Sequence, residues 1–132
     1  MGGCFNGLAL PSHINHVVSL EADMRYDTAG LDITYQVFPM LDIKEKPIYQ
    51  NFMEPAEVAY QHFLTGKNVL IHCQAGVNRS GLVTAATLFK IGFEPQEAID
   101  LIRQNRFPEC LGNEYFERAI LNLKRPDDLK YK

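Results

Sequence analysis

The stretch Asn68–Gly81, NVLIHCQAGVNRSG, decides how the rest of the chain reads. It opens on a continuous apolar run of β type, the mark of a central strand covered on both faces. It then packs a cysteine, two glycines, an arginine and a serine into one polar turn, and a second apolar segment, Leu82 to Ile91, follows as a buried helix ended by Gly92. A turn between a strand and a helix aims backbone N–H groups, and the positive end of the helix dipole, at whatever sits above it. Gly76 and Gly81 permit a close approach there. These features together describe an anion cradle.

The elements around this stretch set the fold class. Residues 13–21, HINHVVSLE, read as a short buried strand with Val17, Val18 and Leu20 inside, and 33–38, ITYQVF, alternate as a second strand. Phe52, Ala56, Ala59, Tyr60, Phe63 and Leu64 then recur at helical spacing. Glu54–Pro55 opens that helix or kinks a slightly longer one, and Gly66 closes it. Downstream, 95–106 is amphipathic with Pro95 at its first position, and 113–125 forms a last helix with Asn113 as its cap. The class is α/β: a central, mostly parallel twisted sheet flanked by helices. The unit 33–72 is strand–helix–strand, a crossover that makes its two strands parallel. Their C-terminal ends therefore share one edge of the sheet, where ligands of open α/β sheets bind. The loops after residues 38 and 72 land on the same rim.

A chain of 132 residues suits a single domain, with 1–12 and 126–132 expected to be loosely ordered. It is 46% hydrophobic and 22% charged with a net charge of −3, so no global field draws it to nucleic acid or anionic lipid. The three cysteines, Cys4, Cys73 and Cys110, are odd in number and fit no zinc spacing. They suit a reduced compartment, cytoplasmic or nuclear. No apolar run approaches the roughly 20 residues that span a bilayer. Gly2 and Cys4 stand as in a lipidated N-terminus, but Asn6 occupies the place where myristoylation wants Ser or Thr, so no membrane anchor is expected. A monomer without metal or other cofactor is expected.

Cys73 stands at the mouth of the cradle and Arg79 near the helix start. Thiols in such settings ionise with pKa values of about 3.5–7.5, against about 8.5 when free. Arg79 offers a planar fork that matches two phosphate oxygens. A thiolate beneath a bound phosphate ester is placed for in-line attack on phosphorus. Ser80 can hydrogen-bond the sulfur when it must later leave, and His72 fixes loop geometry through its ring nitrogens.

His72-Cys73-x5-Arg79-Ser80 resembles the signature of the cysteine-dependent protein tyrosine phosphatases, and VLIHCQAGVNRSG most resembles their dual-specificity branch. The likeness extends to FPMLD (38–42) and RFPECLGNEYF (106–116), and spans the chain from about His13 to Leu123. It implies a cysteinyl-phosphate intermediate and a phosphate-binding loop of Gln74, Ala75, Gly76, Val77, Asn78 and Arg79. The general acid is expected on the rim after the second strand, where Asp42 stands with Glu45 in reserve; Asp32 is at the wrong end, and Asp23 and Asp27 follow a different strand. The resemblance agrees, because Asp42 matches the place of the family's general-acid aspartate. A positioned acid contributes about 10²–10⁴-fold. Asn113 is similar to an asparagine near the family's site and is also a natural helix cap. Arg103 and Arg106 read as a solvated helix face, Cys110 as structural, and Tyr35 as core.

The chain has no room for the extra segment that deepens the pocket of the larger tyrosine-specific enzymes. The resemblance thus implies a shallow pocket open to phosphoserine and phosphothreonine as well as phosphotyrosine in proteins. The variable loop positions carry no lysine, which disfavours phosphoinositides. Asn78 before Arg79 is similar to the loop of the RNA 5′-triphosphatases, though these generally lack the aspartate and favour basic surfaces. That activity and a phosphoprotein-binding module with negligible turnover stand as the alternatives.

Overall fold

The computed structural model describes residues 13–21, 33–73 and 77–125. These contain three strands, β1 (His16–Ser19), β2 (Thr34–Val37) and β3 (Val69–His72), and four helices, α1 (Tyr49–Leu64), α2 (Arg79–Ile91), α3 (Pro95–Asn105) and α4 (Glu114–Leu121). All three strands run parallel in the order β2-β1-β3. The parallel sheet expected from the crossover is therefore present, and among the described residues β1 lies between β2 and β3. The apolar run of β3 is buried on both faces. Leu70 joins Ile14 and Val17 on one side of the sheet, while Ile71 and Cys73 join Val18 and Leu20 on the other.

The larger cluster holds Phe52, Ala56 and Ala59 of α1, Leu82, Val83, Ala85 and Ala86 of α2, Ile99 and Ile102 of α3, and Phe116 and Ile120 of α4. The small side chains facing each other on α1 and α2 let these two helices pack closely over the sheet. The two sequence options for α1 resolve in favour of the longer helix. It begins at Tyr49 and carries Pro55 buried inside it, where the missing N–H leaves one turn of the ladder unmade. It ends as the sequence suggests: Gly66 has φ +80, Gly66 N–H donates to Phe63 O at 3.0 Å, and Lys67 N–H to His62 O at 3.1 Å. That is the paired C-terminal closure that glycine permits.

Hydrogen bonds continue past the strand ends. Leu20 N–H donates to His72 O at 3.0 Å, Phe38 N–H to Ser19 O at 2.8 Å, and Met40 N–H to Leu20 O at 3.2 Å. The segment after β2 is thereby carried along the same edge at which β3 ends.

His16 is buried in β1, stacked on His62 of α1 with ring centroids 3.8 Å apart, and its Nδ1 lies 2.6 Å from Thr34 Oγ1. Burial, helped by His62 and Lys67, lowers its pKa from 6.5 to about 4. The unfolded chain takes up this proton as pH falls through 6.5 and the folded chain only near 4. The neutral imidazole thus contributes stability that is present above 6.5 and lost through that window, up to about 3 kcal/mol. The urea midpoint is expected to fall on acidification from neutral pH to about 4, and to fall less steeply in His16→Gln. An equal slope in the variant would assign the acid sensitivity to other groups.

Candidate active site

The sequence predicts a helix from Leu82; the structure starts α2 at Arg79. Arg79 and Ser80 are thus the first two residues of the helix, and their N–H groups belong to the set that no helical carbonyl can satisfy. Asn78 precedes them, with its carbonyl accepting Leu82 N–H at 2.8 Å. Its side chain makes no cap bond, being engaged elsewhere.

Cys73 follows β3 directly and is 1% exposed. Ser80 N–H donates to its Sγ at 3.4 Å, and Ser80 Oγ lies 3.5 Å from the same sulfur. His72, fully buried, has its pKa lowered to about 4 chiefly by that burial, against an opposing hydrogen bond with the Cys73 backbone. It is neutral at physiological pH.

Arg79 is held from two sides. Its Nη1 donates to Met40 O at 3.0 Å, and its Nη2 pairs with Glu21 Oε2 at 3.0 Å. Neither partner was legible in the sequence. Glu21 lies just beyond β1, so the only available clue was its place on the same rim.

Asp42 is reached by two asparagines. Asn78 Nδ2 donates to Asp42 Oδ2 at 2.9 Å and Asn113 Nδ2 to Asp42 Oδ1 at 2.9 Å. The amides cannot be turned around freely. Asn113 Oδ1 accepts Tyr115 N–H at 3.0 Å and Phe116 N–H at 3.4 Å, capping α4 as expected, while its Nδ2 also donates to Ile43 O at 3.0 Å. Asn78 Oδ1 accepts Asn113 N–H at 2.9 Å. Each oxygen is committed to a backbone donor, so each NH₂ faces the carboxylate.

The turn between α3 and α4 leans on the cradle. Leu111 N–H donates to Val77 O at 3.2 Å, and Leu111 itself sits at φ +62. A Cβ on Gly81 would lie 3.1 Å from Leu111 Cγ, so glycine here serves close approach. Arg103 corrects a sequence expectation: it is not a solvated side chain. Its Nε donates to Cys110 O at 2.9 Å, and its Nη2 to Leu111 O at 3.2 Å and to Glu117 Oε2. Arg106 stands over the Phe107 ring at 5.4 Å. Cys110 is fully buried, which pushes its thiol pKa up. Tyr35 packs against the Ile14–Val17–Leu70 cluster. Glu45 lies along a groove of about 320 Å³ with Leu41, Ile43, Ile48 and Phe116.

The structure thus brings His72, Cys73, Val77, Asn78, Arg79, Ser80, Asp42 and Asn113 to one sheet edge. Gln74, Ala75 and Gly76 lie outside the described residues, as do Cys4, Asp23, Asp27, Asp32 and the two chain ends. Among the described residues no cluster of three His, Cys, Asp or Glu is arranged to hold a metal ion, and no helix is long and apolar enough to cross a membrane.

The family model of the dual specificity phosphatase catalytic domain matches residues 10–125. The chain belongs to that family. It is 33% identical over 94 residues to dual specificity protein phosphatase 15 of Rattus norvegicus, a match covering 70% of this chain and 39% of that protein. It is 26% identical over 121 residues to dual specificity protein phosphatase 22 of Homo sapiens, covering 90% of this chain and 64% of that protein. The chain therefore spans less than two thirds of the length of these curated relatives. Its fold is shared with a mouse putative dual specificity phosphatase solved with zinc tungstate, at TM-score 0.76 and 17% identity over 90% of this chain and 79% of that one.

In this dual specificity phosphatase domain Asn113 joins two tasks that substitution can separate. Serine keeps the cap and loses the Asp42 link; alanine loses both. Asn113→Ala is expected to lower the unfolding free energy by about 1 kcal/mol more than Asn113→Ser. Equal losses by urea titration would remove the capping role.

Proposed function

We propose that this chain hydrolyses phosphomonoesters through a cysteinyl-phosphate, acting on phosphotyrosine and phosphoserine/threonine in proteins. The observation that carries this is the Cys73 sulfur facing the Ser80 N–H and hydroxyl at the start of α2, with Asp42 tied through Asn78 to the same loop. In the first step Cys73 Sγ attacks phosphorus in line with the ester oxygen. The S–P bond forms, the P–O bond breaks, and Asp42 gives its proton to the departing oxygen. Arg79 holds two of the phosphoryl oxygens, with the backbone N–H groups of the loop around them. In the second step Asp42 takes a proton from water, the resulting hydroxide attacks phosphorus, and the thiolate leaves toward the Ser80 hydroxyl. No metal enters either step.

A polypeptide substrate suits the rim around Asp42. Leu41 is 72% exposed, Ile48 66% and Tyr49 56%. An apolar rim on a chain of net charge −3 favours a peptide over a polyanion such as RNA. A reduced compartment, cytoplasmic or nuclear, suits a site that depends on a free thiol.

Wild-type protein is expected to turn over an aryl phosphate in the presence of EDTA, and Cys73→Ser to abolish that turnover. Absence of turnover by folded wild type would sink the enzyme and leave a binding module. Asp42→Ala is expected to lower kcat/KM about 10²-fold or more for esters of poor leaving groups, and far less for those of good leaving groups. Equal losses would take Asp42 out of the acid role. Faster phosphate release from triphosphate-ended RNA than from phosphopeptides would move the substrate to RNA.

A further inference from the structure

Arg103 sits on α3, outside the sheet edge just described, yet it holds the turn that reaches that edge. One guanidinium fixes the successive carbonyls of Cys110 and Leu111 and pairs with Glu117 of α4. The turn it holds is one that an unsupported chain would leave. Leu111 is a non-glycine residue at φ +62, a left-handed conformation that L side chains rarely adopt. Leu111 is also 1% exposed and packs directly on Gly81 in the first turn of α2. From this turn three hydrogen bonds run to the site: Leu111 N–H to Val77 O, Asn113 N–H to Asn78 Oδ1, and Asn113 Nδ2 to Asp42 Oδ1. The turn therefore touches the cradle and the acid at once.

We infer that Arg103 is a positioning residue. By fixing residues 110–113 it sets where Asp42 stands relative to Cys73, and so governs proton delivery to the leaving group. This rests on the reading of Asp42 as the general acid. The task needs a fork: two carbonyls and a carboxylate are met from different directions, which the single ammonium of lysine cannot do. A shift of about 1 Å in a reacting group costs on the order of 10²-fold in rate. A residue acting only on overall stability would lower turnover of every substrate alike.

The test is steady-state kinetics of wild type, Arg103→Lys, Arg103→Met and Glu117→Gln on phenyl phosphate, a poor leaving group, and dinitrophenyl phosphate, a good one. Inhibition by inorganic phosphate reports binding. Both Arg103 variants are expected to lose about ten- to hundredfold in kcat/KM on phenyl phosphate and less than about threefold on the dinitrophenyl ester, with phosphate inhibition unchanged. Glu117→Gln is expected to shift the same way by less. In an Asp42→Ala background, Arg103→Met should change kcat/KM on phenyl phosphate by less than about twofold, because the group it positions is gone. Equal losses on the two esters, no loss, or full additivity with Asp42→Ala would overturn the inference. If both Arg103 variants fail to fold, Glu117→Gln decides by the same selectivity. Wild type inactive on both esters would remove the phosphatase reading, and this inference with it. An active wild type with unselective variants would remove the inference alone.

Discussion

The backbone N–H of Ser80 points at the sulfur of Cys73 from 3.4 Å, and the site is built around that bond. It can form only if the end of β3 and the start of α2 stand almost in contact. The core enforces this. Cys73 and Ile71 are buried under the same cluster as Leu82 and Val83, so strand and helix are fixed by apolar packing on both sides of the loop. Ser80 and Gly81 are buried as well, and Leu111 lies against Gly81 where any larger residue would intrude.

A second constraint follows from parallel pairing. β1, β2 and β3 point the same way, so the segments that leave their C-terminal ends meet on one edge. Glu21 comes from β1, Met40 and Asp42 from beyond β2, and Cys73 from β3. Arg79 gathers the first two: one arm goes to Glu21, the other to the Met40 carbonyl. The segment after β2, which has few buried residues of its own, is held by polar bonds from Asn78 and Asn113 to Asp42. It is anchored at Asp42, and apolar and exposed at Leu41 and Ile48.

The parallel class, the shared rim and the place of Cys73 and Asp42 on it were legible from the sequence because each rests on local signals. These are the β-type run, the glycine-rich turn, the helical spacing and the crossover rule. The order of the described strands, β2-β1-β3, was not legible, because an apolar run does not say which strand lies beside it. The early start of α2 was missed because Asn78, Arg79 and Ser80 lack the apolar spacing that marks a helix. Asn78 in particular reads as a residue of the phosphate-binding loop, and its side chain serves Asp42 and Asn113, 36 and 35 positions away. Arg103 looked solvated because its long-range partners are backbone carbonyls in a left-handed turn, and neither carbonyls nor turn handedness show in a helical pattern.

The central claim is that Cys73 carries the phosphoryl group between two chemical steps. Rapid acid quench of wild type and Asp42→Ala with a phosphopeptide, followed by digestion and mass spectrometry, tests this directly. The account predicts a phosphoryl adduct on the Cys73 peptide within the first turnover, absent in Cys73→Ser. Turnover with no adduct at any quench time, or with ¹⁸O from water appearing in phosphate at the same rate in Cys73→Ser, would contradict it.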